Sequence, residues 1–470
     1  MNIKRLFSLA LAVALIAALA VGCTTETGNG GNTGSKTGSA TGEVSASVEE
    51  IYGEGLSQDT VDALQKSGEI LAYTTTIDFA NNKFDKDPVM QKFNEWAKKY
   101  YGLTVKYRYR AWSASQMEKF LIDYANNDAP DILTLNYFNW PKAGLRQVVY
   151  NTDELAEKGV VGLDHPALSS TKEANERWSV GDKCYAVSGS GGQAVIGAVN
   201  LDLFEQYKVK SPVDYYKEGT WDMDAYIKCC KELTRTLADV KIWGGYAWNY
   251  NWYLVANDAR LISWDSTRTK LVVTMNDPKT IRGAESVQAL YTGGYSPLSE
   301  PDPKFKKGQM GVYFATTQNL ASLLKDCTFK WDVVPFPYGA DNTSGEVPGE
   351  PQATAVVTST KNPQGAVSYI IARRVWKDVL RNSDIVPAND FYNTPGYTVF
   401  NEKQVAMYEA FDNMLGVDLT LGTGTLNSYY QFWNDLRDGS KTLKECIDTY
   451  ESYYQEQATF ENEEAAKVKR

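Results

Sequence analysis

EILAYTT (Glu69–Thr75), LTVKYRYR (Leu103–Arg110) and DILTLN (Asp131–Asn136) are short runs rich in β-branched, aromatic and aliphatic residues, and each reads as a strand. The segment between the first two, Pro88–Tyr101, places Val89, Phe93, Trp96 and Ala97 on one helical face. SASQMEKFLIDYANN (Ser113–Asn127) fills the second gap as an amphipathic helix with its N-cap near Ser113 or Ser115. Asn127–Pro130 then turns the chain into the third strand. Strand, helix, strand, helix, strand is the pattern of an α/β layer with parallel pairing.

Working outward toward the N-terminus, Lys4 and Arg5 precede an apolar run from Leu6 to Val21, broken only by Ser8, and Gly22 and Cys23 follow. A basic start, a short apolar core and a small-residue exit describe a secretory signal over residues 1–22. The run is also shorter than the roughly 20 residues a membrane-spanning helix needs. Ala20-Val21-Gly22-Cys23 resembles the lipobox of bacterial lipoproteins, which implies a lipid on Cys23 and anchoring on the extracytoplasmic face of the cell membrane. Residues 23–50 are dominated by Thr, Gly, Ser and Asn, a composition that buries no core and reads as a tether.

The roughly 420 residues that follow suffice for two lobes. A net charge of −10 speaks against nucleic acid as a partner. Five cysteines lie beyond Cys23 (Cys184, Cys229, Cys230, Cys327 and Cys446), an odd number without metal-like spacing, and read as inert thiols. His165 is the sole histidine, so Ser/His/Asp chemistry and His-based metal sites are not available. DFANNKFDKD (Asp78–Asp87) is rich in oxygen ligands but lacks the spacing of a calcium loop. No metal or cofactor is expected.

The opening pattern, with FNEW in its first helix and NDAPDIL before its third strand, is similar to the start of family 1 extracellular solute-binding proteins, the maltose-binding type of ABC-transporter receptor. Further similarities follow in family order. They are CYAVSGSGGQAVIGAVNLDLFEQYKVKSP (Cys184–Pro212), GTWDMDAYIKCCKEL (Gly219–Leu233), FKKGQMGVYFATTQNL (Phe305–Leu320), WDVVPFPYG (Trp331–Gly339) and NPQGAVSYIIARRVW (Asn362–Trp376). The resemblance implies a two-lobed periplasmic-binding-protein-like fold of the class II type, with discontinuous lobes, a hinge and an interlobe cleft. It places residues 68–186 and 311–356 in lobe 1 and residues 195–310 and 357–470 in lobe 2. The hinge crossings would lie near Val187–Ala194, Gly311–Tyr313 and Val356–Thr358. It also implies a monomeric, non-enzymatic receptor that hands a solute to ABC-transporter permease subunits.

Candidate ligand contacts fall in four places. WGGYAWNYNWY (Trp243–Tyr253) carries Trp248, Tyr250, Asn251 and Trp252. Tyr246, Trp248, Tyr250 and Trp252 would share a face if the whole stretch were one strand; the favoured reading is that strand WGGYAW passes through a loop at Asn249 into a helix near Asn251. Aromatic faces stack on the C–H faces of sugar rings while Asn and Tyr serve the hydroxyls, so this stretch suits a carbohydrate, with an oligosaccharide expected. Asn136, Tyr137, Asn139 and Trp140 directly follow a strand, where ligands of α/β sheets bind. Thr75, Thr76 and Asp78 follow the first strand in the same sense. Ser188 and Gln193 lie at the first crossing, and Tyr313 and Gln318 flank the strand end where sugar-binding relatives carry an aromatic residue. Two other readings stay open. One is the same receptor for a peptide, polyamine or uronate, the last using Arg110, Lys142 or Arg146; the other is a surface glycan hydrolase.

Overall fold

The computed structural model describes residues 51–52, 55–74, 81, 88–110, 113, 115–189, 192–381 and 399–468. The first three predicted strands form as β1 (Gly68–Thr74), β2 (Leu103–Tyr109) and β3 (Ile132–Leu135). β1 pairs in parallel with both β2 and β3, from Gly68 opposite Leu103 and with Ala72 opposite Ile132. The helix Pro88–Tyr101 crosses over between β1 and β2. Phe93, Trp96, Ala97 and Tyr101 recur at helical spacing and are buried against Trp376 and Tyr369 of a later helix.

The chain then forms a small hairpin, β4 (Ser179–Val180) and β5 (Lys183–Cys184), and enters the second sheet as β6 (Gln193–Asn200). β7 (Arg235–Leu237) and β8 (Val240–Ala247) form a second hairpin, and β9 (Ile262–Trp264) and β10 (Leu271–Val273) a third. β11 (Met310–Thr316) and β12 (Trp331–Pro335) complete the second sheet, in the order β12-β6-β11-β8-β7. β13 (Gly349–Glu350) pairs with the start of β6, and β14 (Ala353–Val356) pairs antiparallel with β3 in the first sheet.

Close packing in the second sheet depends on glycine. A Cβ on Gly244 of β8 would lie 2.3 Å from the Cα of Cys230. The helix Met223–Leu233 therefore rests directly on the strand, burying Tyr226, Cys229, Cys230 and Leu233. All five cysteines named above are free. Burial pushes the thiols of Cys327 and Cys446 up to about 11 and that of Cys229 up to about 12, which keeps them protonated at neutral pH.

Strand pairing divides the chain differently from the expected lobe boundaries. β11 lies between β6 and β8 and β12 flanks β6, so residues 311–335 belong with 193–247 rather than with the first lobe. β14 joins the first sheet, and the helix Pro363–Arg381 packs on β1, β2 and the helix Pro88–Tyr101, so 357–381 is not part of the second lobe. Of the described residues, those within 55–189 and 353–381 thus group as lobe 1, and those within 192–350 and 399–468 as lobe 2. Every residue of β11 is buried, which marks an interior strand locally but carries no information about which sheet receives it. The crossings expected near Gly311–Tyr313 and Val356–Thr358 lie inside the two sheets instead.

Residues 187–189 leave the first sheet and residues 192–194 enter the second, with residues 349–354 beside them. Ser188 bridges Thr354, and Gln193 and Ala194 pair with Glu350 and Gly349. The lobes also touch through Trp140 and Trp178 of lobe 1 and Trp264 of lobe 2, with Trp140 and Trp264 ring centroids 6.4 Å apart.

Candidate functional site

Strand direction fixes where the two lobes present their loops. β14 starts at Ala353 opposite Leu135, the last residue of β3, so the crossing meets lobe 1 at the carboxyl ends of its parallel strands. In lobe 2, Val195 near the start of β6 lies opposite Thr316, the last residue of β11, and β8 runs parallel to β11. The carboxyl ends of both sheets therefore adjoin the same crossing. Ligands of α/β folds bind outside such strand ends and at domain interfaces.

On the lobe 2 side, β8 ends at Ala247 and a helix begins at Asn251, the strand–loop–helix reading of this stretch. Trp248 stands in the turn between them, 54% exposed, with its backbone N–H donating to the Phe314 carbonyl at 3.3 Å. Asn249 anchors the turn: its Oδ1 accepts from the Asn251 N–H at 3.0 Å and from the Tyr429 hydroxyl at 2.7 Å. Half-buried Tyr250 packs against Trp433 and Tyr291, and its hydroxyl accepts from Arg437 at 3.3 Å. Gln318, just past the end of β11, is exposed and meets Gln193 at the start of β6. Gln193 Nε2 donates to Gln318 Oε1 at 2.7 Å, and the Gln318 N–H donates to Gln193 Oε1 at 3.3 Å.

Other predicted contacts lie in the interior. Asn136 and Asn139 are fully buried and close the end of β3. Asn139 Oδ1 accepts from the Asn136 N–H at 2.9 Å, Asn139 Nδ2 donates to the Thr134 carbonyl at 2.8 Å, and Asn136 Oδ1 accepts from the Phe138 N–H at 2.8 Å. Trp140 is buried among Trp178, Tyr185 and Trp264, while Tyr137 is half-buried against Phe138. Trp252 is buried on Phe336, and buried Asn251 donates to Asp418. Tyr313 faces the core, its hydroxyl donating to Asp302 at 2.5 Å, and Ser188 is buried where the crossing bridges Thr354. The structure thus buries all six of Asn136, Asn139, Trp140, Asn251, Trp252 and Tyr313: the first two asparagines serve backbone groups, Asn251 donates to Asp418, and the three rings pack in the interior. Thr75, Thr76, Asp78 and Cys23 lie outside the described residues, as does most of Asp78–Asp87.

The basic residues considered for an acidic solute are already paired. Arg146 and Lys142 of lobe 1 converge on Glu461 of lobe 2, at 3.0 Å and 3.3 Å, and Arg110 pairs with Asp123. His165 is buried and starts a short helix, its Nδ1 accepting from the Ala167 N–H at 3.0 Å. Among the described residues no cluster of three or more His, Cys, Asp or Glu could hold a metal ion.

One candidate escaped the sequence reading. Tyr430 is 53% exposed on the helix Leu426–Arg437, beside Tyr429, whose hydroxyl holds the Asn249 turn. The signal was present, because Tyr429, Phe432, Trp433 and Leu436 form the buried stripe of that helix and Tyr430 is an aromatic residue placed off it.

Residues 83–372 match the family described as bacterial extracellular solute-binding protein, and the chain belongs to that family. No curated protein matches the sequence. Solved structures share the fold at low identity. The Listeria monocytogenes ABC substrate-binding protein Lmo0181, in complex with cycloalternan, is 17% identical with a TM-score of 0.58, covering 83% of this chain and 98% of that one. The galacto-N-biose-/lacto-N-biose I-binding protein of the Bifidobacterium longum ABC transporter, in complex with lacto-N-biose, is 13% identical with a TM-score of 0.59, covering 85% and 97%. UgpB from Mycobacterium tuberculosis, in complex with glycerophosphocholine, is 15% identical with a TM-score of 0.59, covering 83% and 98%.

Proposed function

We propose that this protein is the surface receptor of an ABC importer for an oligosaccharide, held on the extracytoplasmic face of the membrane by a lipid on Cys23. The observation that carries the sugar reading is Trp248, an indole left in solvent by a well-braced turn at a strand end that adjoins the crossing. An aromatic face of this size offers a platform for the C–H surface of a sugar ring. Gln193, Gln318 and Tyr250 supply neighbouring amide and hydroxyl groups, and Tyr430 adds a second exposed ring. Two of the structural neighbours named above are complexes with carbohydrates. The pairing of Arg110, Lys142 and Arg146 with carboxylates weighs against a uronate.

Capture works by differential affinity: a ligand touching both lobes stabilises the arrangement in which both contacts are made. The role is binding rather than turnover, and the permease subunits are the partners. The basic start, apolar run and Cys23 support the anchor, and radiolabelled palmitate should enter the wild-type protein and not Cys23→Ser.

The deciding experiment is a thermal-shift panel of oligosaccharides, monosaccharides, peptides, polyamines and glycerophosphodiesters. A ligand at 100 times its Kd contributes about 2.7 kcal/mol to native stability. A shift confined to glycans, and lost in Trp248→Ala, supports the reading. A shift with a non-sugar alone keeps the receptor role and overturns the carbohydrate.

A further inference from the structure

Between the lobes lies a cavity of about 300 Å³ that involves none of the residues assigned to the sugar. Arg177 reaches it from lobe 1, and Arg260, Trp264, Arg268 and Glu346 from lobe 2. Glu346 serves two of the guanidiniums, with Arg260 Nη2 at 2.5 Å and Arg177 Nε at 3.8 Å. Asp258, the other carboxylate lining the cavity, is taken up by Thr343 and Ser344, whose hydroxyls donate to it at 3.0 Å and 2.5 Å and whose backbone N–H groups also donate.

Arg268 makes no salt bridge among the described residues. Its Nη2 donates to the Arg177 carbonyl at 3.2 Å, while among the described residues its Nε is buried without a hydrogen-bond partner, and so is the indole Nε1 of Trp264. Burial pulls the Arg268 guanidinium below its usual range, although Glu346 and Glu176 favour its charge. A buried donor without an acceptor is costly, and more so on a charged group. Both unserved groups are donors, one belongs to a cation, and a guanidinium fork matches the geometry of an oxyanion.

We propose that this cavity binds a small oxyanion, phosphate, sulfate or a small carboxylate, held by Arg268 and Trp264 of lobe 2 and by Arg177 of lobe 1. Ser263 and Ser344 line the same space, and Val417 and Leu419 give it an apolar wall. The site is independent of the sugar reading and survives its failure.

The test is calorimetric titration of the purified protein with inorganic phosphate, sulfate, acetate and citrate, against chloride at matched ionic strength. We expect saturable binding of at least one oxyanion and none of chloride. Arg268→Gln should weaken it by roughly tenfold to a hundredfold, the loss expected for a hydrogen bond to a charged group. If Arg268→Gln does not fold, Arg177→Gln on the opposite lobe serves the same purpose and should also weaken binding. Comparison of the four anions separates tetrahedral from carboxylate ligands. Responses equal to chloride, or unchanged anion affinity in the folded arginine variants, would overturn the proposal.

Discussion

LNYFNW (Leu135–Trp140) and AWNYNWY (Ala247–Tyr253) occupy equivalent places at strand ends and use nearly the same residues, yet they end in opposite environments. In the first, both asparagines turn inward to close the backbone and Trp140 is 0% exposed, packed by Trp178, Tyr185 and Trp264. In the second, Asn249 does the same backbone work, Trp252 is buried, and Trp248 remains in solvent. Composition at a strand end therefore does not decide between core and platform. What decides is whether a distant segment covers the ring: Trp178 and Trp264 cover Trp140, whereas Tyr429 braces the turn beneath Trp248 and leaves the indole itself 54% exposed.

The largest effect that bears on this contrast is Trp140→Ala. It should lower stability by about 3–5 kcal/mol, as for other buried Trp truncations, read from the midpoint of chemical unfolding. Asn139→Ala should follow at about 1–3 kcal/mol, because it leaves the buried Asn136 N–H without its acceptor. Trp248→Ala should leave stability within about 0.5 kcal/mol and weaken the oligosaccharide by at least tenfold, about 1.4 kcal/mol. A large stability loss at Trp248, or none at Trp140, would break the comparison.

The smallest effect is pH-dependent and uses a third polar residue drawn into the interior. Burial lowers the His165 pKa, so the folded state prefers the neutral ring, whose Nδ1 accepts from the Ala167 N–H. The unfolded chain takes up the proton more readily. Stability is thus full above about pH 6.5 and falls as pH drops toward the folded-state pKa, by at most about 1.4 kcal/mol per pH unit for one proton. His165→Asn should flatten that part of the profile.

Much of the fold was legible locally. The alternation of strands and helices through Leu135, and the strand, loop and helix of Trp243–Tyr253, follow from patterns of two and 3.6 residues. Sheet membership was not. β11 shows only that it is an interior strand, and its pairing with β6 and β8 joins segments more than 60 residues away. That non-local choice is why residues 311–335 and 357–381 were assigned to the wrong lobes. Of the candidate contacts, Trp248 is exposed while Asn136, Asn139 and Trp252 are buried, a difference the sequence does not show because periodicity reports which face a residue occupies and not what later folds over it. Tyr430 comes from the far end of the chain, where only its position off a buried stripe sets it apart.

The segments that lie together between the lobes, residues 187–189 and 192–194 on one side and 349–354 on the other, have a mechanical consequence. Laid side by side and tied at Ser188–Thr354 and at Gln193–Glu350, they make a two-ply ribbon rather than two separate strings. Such a ribbon flexes out of its plane without disturbing its ladder, whereas sliding one ply along the other breaks bonds worth about 0.5–1.5 kcal/mol each. Bending is soft and shear is stiff. A displacement of one lobe against the other would therefore meet less resistance as a bend across these ties than as a slide along them.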